Sequence, residues 1–230
     1  MNTLLIRLAA PLQSWGADSK FTRRSSRREP TKSGVVGLCA CALGIRRDDD
    51  SAIARIAALE FGVRIDQLGT LLRDYHVAHK SEFWETGKTD PFVSERYYLS
   101  DAVFLVGLSG EPRLLETIDS ALKAPKLPVY LGRRSCPPSG RLSLGLREMS
   151  LIDALRSEDW LASDWYKRRH KATLLEIICD AETGAVIQDL PLSFNQECRR
   201  YGLRATRRET FDILSANTSH DPFIELGGGA

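Results

Sequence analysis

Apolar positions along the chain gather into a few blocks separated by polar stretches. Residues 3–9 form a short apolar run that predicts a strand, followed by a loop over residues 11–16. Residues 33–43 (SGVVGLCACAL) are small and apolar without a break, which predicts a helix capped by Ser33 and ended by Gly44. Asp48, Asp49 and Asp50 open a second helix through Leu59, with acidic residues at its positive end. Residues 61–66 alternate as a strand does, and residues 71–77 predict another. Residues 79–98 mix polar, charged and aromatic side chains with Gly87 and Pro91, the pattern of an exposed excursion or long hairpin. Residues 101–108 (DAVFLVGL) are the strongest strand, Glu111 and Pro112 open a helix to about Lys123, and residues 141–146 alternate again. The order strand, helix, strand, excursion, strand, helix, strand is that of a split βαβ, ferredoxin-like domain over residues 1–148. Residues 149–230 read as a smaller, mainly β region, with a helix over 151–160 and strand-like pieces at 173–180 and 200–213. The fold class is α+β.

Charge changes this picture through its placement. The net charge is only +2, yet residues 20–47 hold eight Lys or Arg and one Glu. Four of them, Arg23, Arg24, Arg27 and Arg28, lie just ahead of the apolar helix. Arginine presents planar donor arrays that suit phosphate, and a helix N-terminus favours anions. On charge alone, an anion site and a solvated basic loop both remain open. A nucleotide P-loop around Lys32 and Ser33 is excluded, because Arg27-Arg28-Glu29-Pro30-Thr31 lacks the glycines that turn requires. Three further basic clusters follow: Arg133 and Arg134 beside Ser135, residues 166–171 (YKRRHK), and the five arginines of residues 199–208, where Arg204 alternates against Leu203 and Ala205. Trp15, Tyr75, Trp84, Tyr97, Tyr98, Trp165 and Tyr201 lie near these charges. Arginine with aromatics suits single-stranded RNA, whose unstacked bases need flat partners.

Candidate catalysts are few. Asp74, Tyr75 and His76, with His79 and Lys80, supply the groups a metal-free ribonuclease uses as base, acid and phosphate stabiliser. Neighbours on a strand alternate faces, however, so closeness in sequence is not convergence. The five cysteines are scattered, with no CxxC pair, and no paired-carboxylate metal site stands out. No metal or cofactor is expected. No window reaches the length of a membrane span and no signal peptide is legible, so a reduced, cytoplasmic protein is expected.

Several blocks together resemble a known family. Residues 8–16 (LAAPLQSWG), 30–38 (PTKSGVVGL), 43–45, 61–66, 74–76, 98–102 and 130–137 (YLGRRSCP) are similar, in order, to the Cas-five family (CasD type) of CRISPR-associated proteins in the RAMP superfamily, closest to its subtype E (Cascade) branch. The resemblance spans residues 3–147 and is loose beyond about 150. It implies an RRM-related ferredoxin-like domain with a thumb hairpin at about residues 77–97. It also implies a non-catalytic subunit that binds the 5′ handle of CRISPR RNA and caps a surveillance ribonucleoprotein serving antiviral defence. Its partners would be the backbone RAMP subunit and the large subunit, with target DNA met through the complex. The arginine loop with Lys32, Ser33 and Gly34 would wrap the handle, and Ser14, Trp15 and Gly16 would lie beside it. Tyr75, His76, Arg133, Arg134, Ser135 and Arg204 complete the expected RNA contacts. One branch of the family cleaves precursor RNA, so a metal-independent endoribonuclease is the alternative, and a structural adaptor without handle preference is a third.

Overall fold

The computed structural model describes residues 1–16, 22–79, 91–170 and 174–213. In chain order its first elements are β1 (Asn2–Ala9), β2 (Leu12–Gln13), β3 (Trp15–Gly16), β4 (Arg23–Arg24), β5 (Ser26–Arg27), α1 (Lys32–Leu43), α2 (Asp50–Ala57) and β6 (Glu60–Gln67). There follow β7 (Thr70–Ala78), β8 (Phe92–Ser100), β9 (Val103–Gly110), α3 (Pro112–Lys123), β10 (Ser143–Arg147), α4 (Leu151–Ser157), α5 (Asp164–Arg169), β11 (Leu174–Ser193) and β12 (Arg200–Asp212). Six strands form one antiparallel sheet in the order β10-β1-β9-β6-β11-β12.

The central strands read as nearly continuous apolar runs because both of their faces are covered. On β1, Leu4, Ile6 and Leu8 join the core beneath α1, α2 and α3, while Leu5 faces α4. On β9, Phe104, Val106 and Leu108 join the first core and Leu105 the second. Successive side chains on a strand point to opposite faces, so two cores demand apolar residues at every position.

The expected helices form, with corrected ends. Thr31, and not Ser33, caps α1, its Oγ1 accepting from the Gly34 N–H at 3.2 Å; Gly44 ends the helix at φ 72°. Thr31→Ala is expected to lower stability by about 1 kcal/mol, read as a shift in the urea midpoint with unchanged slope. Asp49 caps α2, so that helix begins two residues later than its acidic run, and it ends at Ala57. The helix expected to reach Trp160 stops at Ser157. The first C-terminal strand piece is longer than its apolar pattern, since β11 runs through twenty residues and pairs with β12 along most of its length, whereas β12 matches the second piece to within one residue. Residue 148 is no break in the sheet, since β11 pairs with β6 and Ile177 shares a core with Leu5 and Leu105.

A second, smaller sheet leaves this body. β7 and β8 pair antiparallel from Thr70↔Ser100 to Ala78↔Phe92, and the foot of β8 also holds β2 and β4. The C-terminal end of the excursion expected at 79–98 is therefore strand, and β7, the strand expected over 71–77, runs to Ala78 just before it. Its Lys80 and Trp84 lie outside the described residues.

Candidate nucleic-acid interface

The arginine loop is stitched to the foot of this ribbon. β4 runs parallel to β8, with Arg23 opposite Glu95 and Arg24 opposite Arg96, and the Glu95 N–H donates to the Thr22 carbonyl at 2.8 Å. β5 pairs with β3, placing Arg27 opposite Trp15 and Ser26 opposite Gly16. Arg23 lies 5.3 Å from the centre of the Tyr97 ring. These pairings hold Arg23, Arg24 and Arg27 on short strands, with Arg23 and Arg24 exposed and Arg27 half-buried; Arg28, just past β5, is exposed.

The turn at residues 131–136 meets the same corner. The Leu131 N–H donates to the Cys136 carbonyl at 2.8 Å, and the Ser14 N–H donates to the Leu131 carbonyl at 3.1 Å. Gly132 has φ 88°, and a Cβ there would overlap the Ser14 carbonyl oxygen. Only glycine fits that approach. The turn sets Arg133 4.5 Å over the Tyr98 ring, donating to the Arg24 carbonyl at 2.9 Å, while Arg134 and Ser135 stay exposed. Arg133 Nη1 and Arg96 Nε are buried and have no hydrogen-bond partner among the described residues. The structure thus brings together Gly16, Arg23, Arg24, Arg27, Arg28, Arg133, Arg134 and Ser135. Ser14 is buried, and its hydroxyl donates to the Tyr97 carbonyl at 3.3 Å.

Three expected RNA contacts are corrected by burial. Trp15 is 1% exposed, its Nε1–H donating to Gln13 Oε1 at 3.1 Å, and a Cβ on Gly34 would lie 2.9 Å from its ring. It is a wedge under α1, unable to stack on a base. Lys32 is buried and paired with Asp180 at 2.8 Å. Arg204 pairs with Asp180 at 2.7 Å and with Asp189 at 2.5 Å. Burial alone would lower the pKa of this guanidinium, but the two carboxylates outweigh it and hold the pKa above the usual arginine value. The N-terminus of α1 also has an occupant already, for the Lys32 N–H donates to Asp189 Oδ2 at 2.8 Å. The anion expected there is a carboxylate of β11, so two cations and two carboxylates neutralise one another under the arginine loop. Nothing in the local pattern around Asp180 and Asp189 marks them for this pairing.

The family model of a CRISPR-associated protein (Cas_Cas5) matches residues 3–207, most of the chain and both halves of the sheet. The chain belongs to the Cas5 family. A curated relative, the CRISPR system Cascade subunit CasD of Escherichia coli (strain K12), is 35% identical over 161 residues, which is 64% of this chain and 72% of CasD. Two solved structures are similar along almost the whole length. One, described as a crystal structure of a Cas protein, shares 40% identity with a TM-score of 0.73, covering 92% of this chain and 96% of its own. The other, a chain of a CRISPR RNA-guided surveillance complex, shares 33% identity with a TM-score of 0.76, covering 91% and 90%.

In this Cas5-family chain Tyr75 lies on the opposite face of β7 from Asp74 and His76. Tyr75 is 60% exposed, whereas His76, its neighbour on the strand, is half-buried with Nδ1 3.3 Å from Arg96 Nη2. The Cys39 thiol is pushed up to about 12 by full burial and is inert as a nucleophile. Among the described residues, no helix is long and apolar enough to cross a membrane.

Proposed function

We propose that this Cas5-family chain is the non-catalytic, cytoplasmic subunit of a Cascade-type CRISPR surveillance ribonucleoprotein that holds the 5′ handle of the CRISPR RNA and caps the complex. The observation that carries this reading is the corner where exposed Arg23, Arg24 and Arg28 and the Arg134 turn converge on the foot of the β7–β8 ribbon. Arginine contacts to phosphate position the chain of the RNA, and contacts to its bases specify it. The order β10-β1-β9-β6, with α1 and α2 after β1 and α3 after β9, fits a ferredoxin-like RAMP domain, and the β7–β8 ribbon is its thumb. That ribbon, with Leu71, Leu72 and Tyr75 exposed, meets the backbone RAMP subunit, and the large subunit docks nearby. Target DNA is met only through the assembled complex. CasD, the curated relative, carries the name of a Cascade subunit.

The test incubates the purified protein with labelled precursor CRISPR RNA in EDTA at several salt concentrations. Retention without cleavage is expected. Arg27→Ala and Arg28→Ala are each expected to weaken binding and to flatten its logarithmic salt dependence by roughly 0.7 for each phosphate no longer neutralised. An unchanged slope in both variants would remove the loop from the interface. A discrete cut that persists in EDTA and disappears in a His76 or His79 variant would replace this reading with the endoribonuclease.

A further inference from the structure

The helix α5 (DWYKRR) buries none of its six residues and joins neither core, yet the segment leading into it is pinned to β6 by buried side chains. Asp66 accepts from the Leu161 N–H, and its carbonyl accepts from Trp160 Nε1–H, both at 2.7 Å. Gln67, 3% exposed, accepts from the Ser163 N–H at 3.0 Å and from the Ser163 hydroxyl at 2.8 Å. This anchorage holds up a cluster of rings edged by cations. Tyr166 stacks on His170 with ring centres 4.1 Å apart, and it meets Trp165 and Trp160 edge-on at 5.7 and 6.4 Å. Trp165 is 49% exposed, and Leu68, just before β7, is exposed as well. Lys167 lies 5.7 Å over the Trp160 ring, while Arg168 and Arg169 are exposed. Among the described residues neither arginine is ion-paired, and Asp164, one turn ahead, pairs with neither.

We infer that this face docks an acidic protein segment of a neighbouring subunit, which sets an apolar side chain against Trp165 and its carboxylates against Arg168 and Arg169. The inference rests on the complex-subunit reading above but uses none of the RNA contacts. The surface lies on the α4 face of the sheet, where Leu161 packs, whereas the arginine corner is built against α1. Charge complementarity selects the occupant: exposed cations that nothing on this chain neutralises attract an anionic partner and reject a cationic one. The negative end of the helix dipole accounts for cations in the last turn, but it gives no reason for an exposed indole beside them. Tryptophan, tyrosine and arginine are the residues that anchor protein interfaces. Single-stranded nucleic acid needs open ring faces, whereas Tyr166 and His170 stack on each other and Lys167 covers Trp160. Fixing the rings on β6 beforehand also spares the ordering cost that binding would otherwise carry.

The test assembles the complex from purified partner subunits, CRISPR RNA and the full chain, and reads the chain concentration at half-maximal incorporation. Trp165→Ala, and Arg168→Glu with Arg169→Glu, are each expected to raise that concentration about tenfold. Added salt screens the charges, so it should weaken the parent toward the charge-reversed variant and leave the Trp165→Ala deficit in place. The RNA affinity of the isolated variants is expected to equal the parent's. Because α5 lies outside both cores, the variants should unfold at the parent's midpoint; where Trp165→Ala does not, the charge-reversed variant carries the test. If the parent chain does not incorporate, the complex-subunit reading and this inference both fall. If the parent incorporates and both variants match it, the inference alone falls. Loss of RNA affinity in the charge-reversed variant would overturn it in favour of a nucleic-acid surface. A charge-reversal deficit indifferent to salt would rule out the acidic partner.

Discussion

Asp66→Ala is expected to destabilise the protein by roughly 3–5 kcal/mol, the cost of leaving a buried charge without its partner. Arg64 and Asp66 sit on β6 with no exposed side-chain surface. The guanidinium donates to both Asp66 oxygens, at 2.7 and 2.8 Å, and to the Leu155, Glu158 and Asp159 carbonyls at 2.6 Å. Asp66 also accepts from the Leu161 N–H at 2.7 Å, and its own carbonyl accepts from Trp160 Nε1–H at 2.7 Å. The pair therefore ties the segment between α4 and α5 to the sheet. Removing the carboxylate leaves a full positive charge facing only neutral dipoles, in a site water does not reach. A urea titration reads the loss as a lower midpoint, and in heat the midpoint should fall on the order of 10 °C for a chain of this size. Arg64→Met with Asp66→Leu is expected to recover much of the loss, because removing both charges removes the desolvation cost as well. RNA affinity of the folded fraction should not change, since this pair lies on the α4 face of the sheet and the arginine corner is built against α1. An Asp66→Ala midpoint equal to the parent's would mean that water reaches Arg64.

Gly132→Ala is expected to cost both RNA affinity and stability. The added Cβ would overlap the Ser14 carbonyl, and φ 88° is a region that alanine avoids. Either the 131–136 turn or the Ser14 strand must move. The turn is the freer of the two, because Ser14 lies between β2 and β3, both paired. Moving it withdraws Arg133 from Tyr98 and from the Arg24 carbonyl and displaces Arg134 with it. Each charged hydrogen bond to phosphate broken in this way weakens binding about tenfold. The backbone strain itself costs on the order of 1–3 kcal/mol. Gly132→Asn makes the distinction sharp: asparagine tolerates positive φ, yet it carries the same Cβ, so it should bind as poorly as alanine. Recovery of binding in the asparagine variant would assign the effect to φ and free the turn from its steric lock.

The fold was largely legible because its strongest signals are local. Continuous apolar runs such as those of β1 and β9 mark strands covered on both faces, and a glycine after residue 43 marks a helix end whatever surrounds it. The alternation of β6 and the proline opening α3 likewise need no partner to be recognised. The far half of β11 was not legible: Ala185 through Ser193 pairs only with β12, its buried alternate positions are Asp189, Pro191 and Ser193, and its apolar Val186 and Leu192 are exposed, so the apolar alternation that marks a strand is missing.

For the candidate site the division falls between type and availability. Sequence alone determined that arginines cluster ahead of a helix and beside a glycine turn, because residue type and spacing are written directly in the chain. Tertiary structure alone decided which of those charges remain free. Lys32 and Arg204 look like phosphate ligands until Asp180 and Asp189 of β11 close against them, reaching Lys32 from about 150 residues away. Trp15 looks like a stacking platform until α1 closes over it. An ion pair and a buried ring are made by partners distant along the chain, and local pattern carries no information about which partner arrives. What remains after those pairings close, the exposed arginines of β4, the residue 28 corner and the Arg134 turn, is the basic surface on which the proposed RNA contact rests.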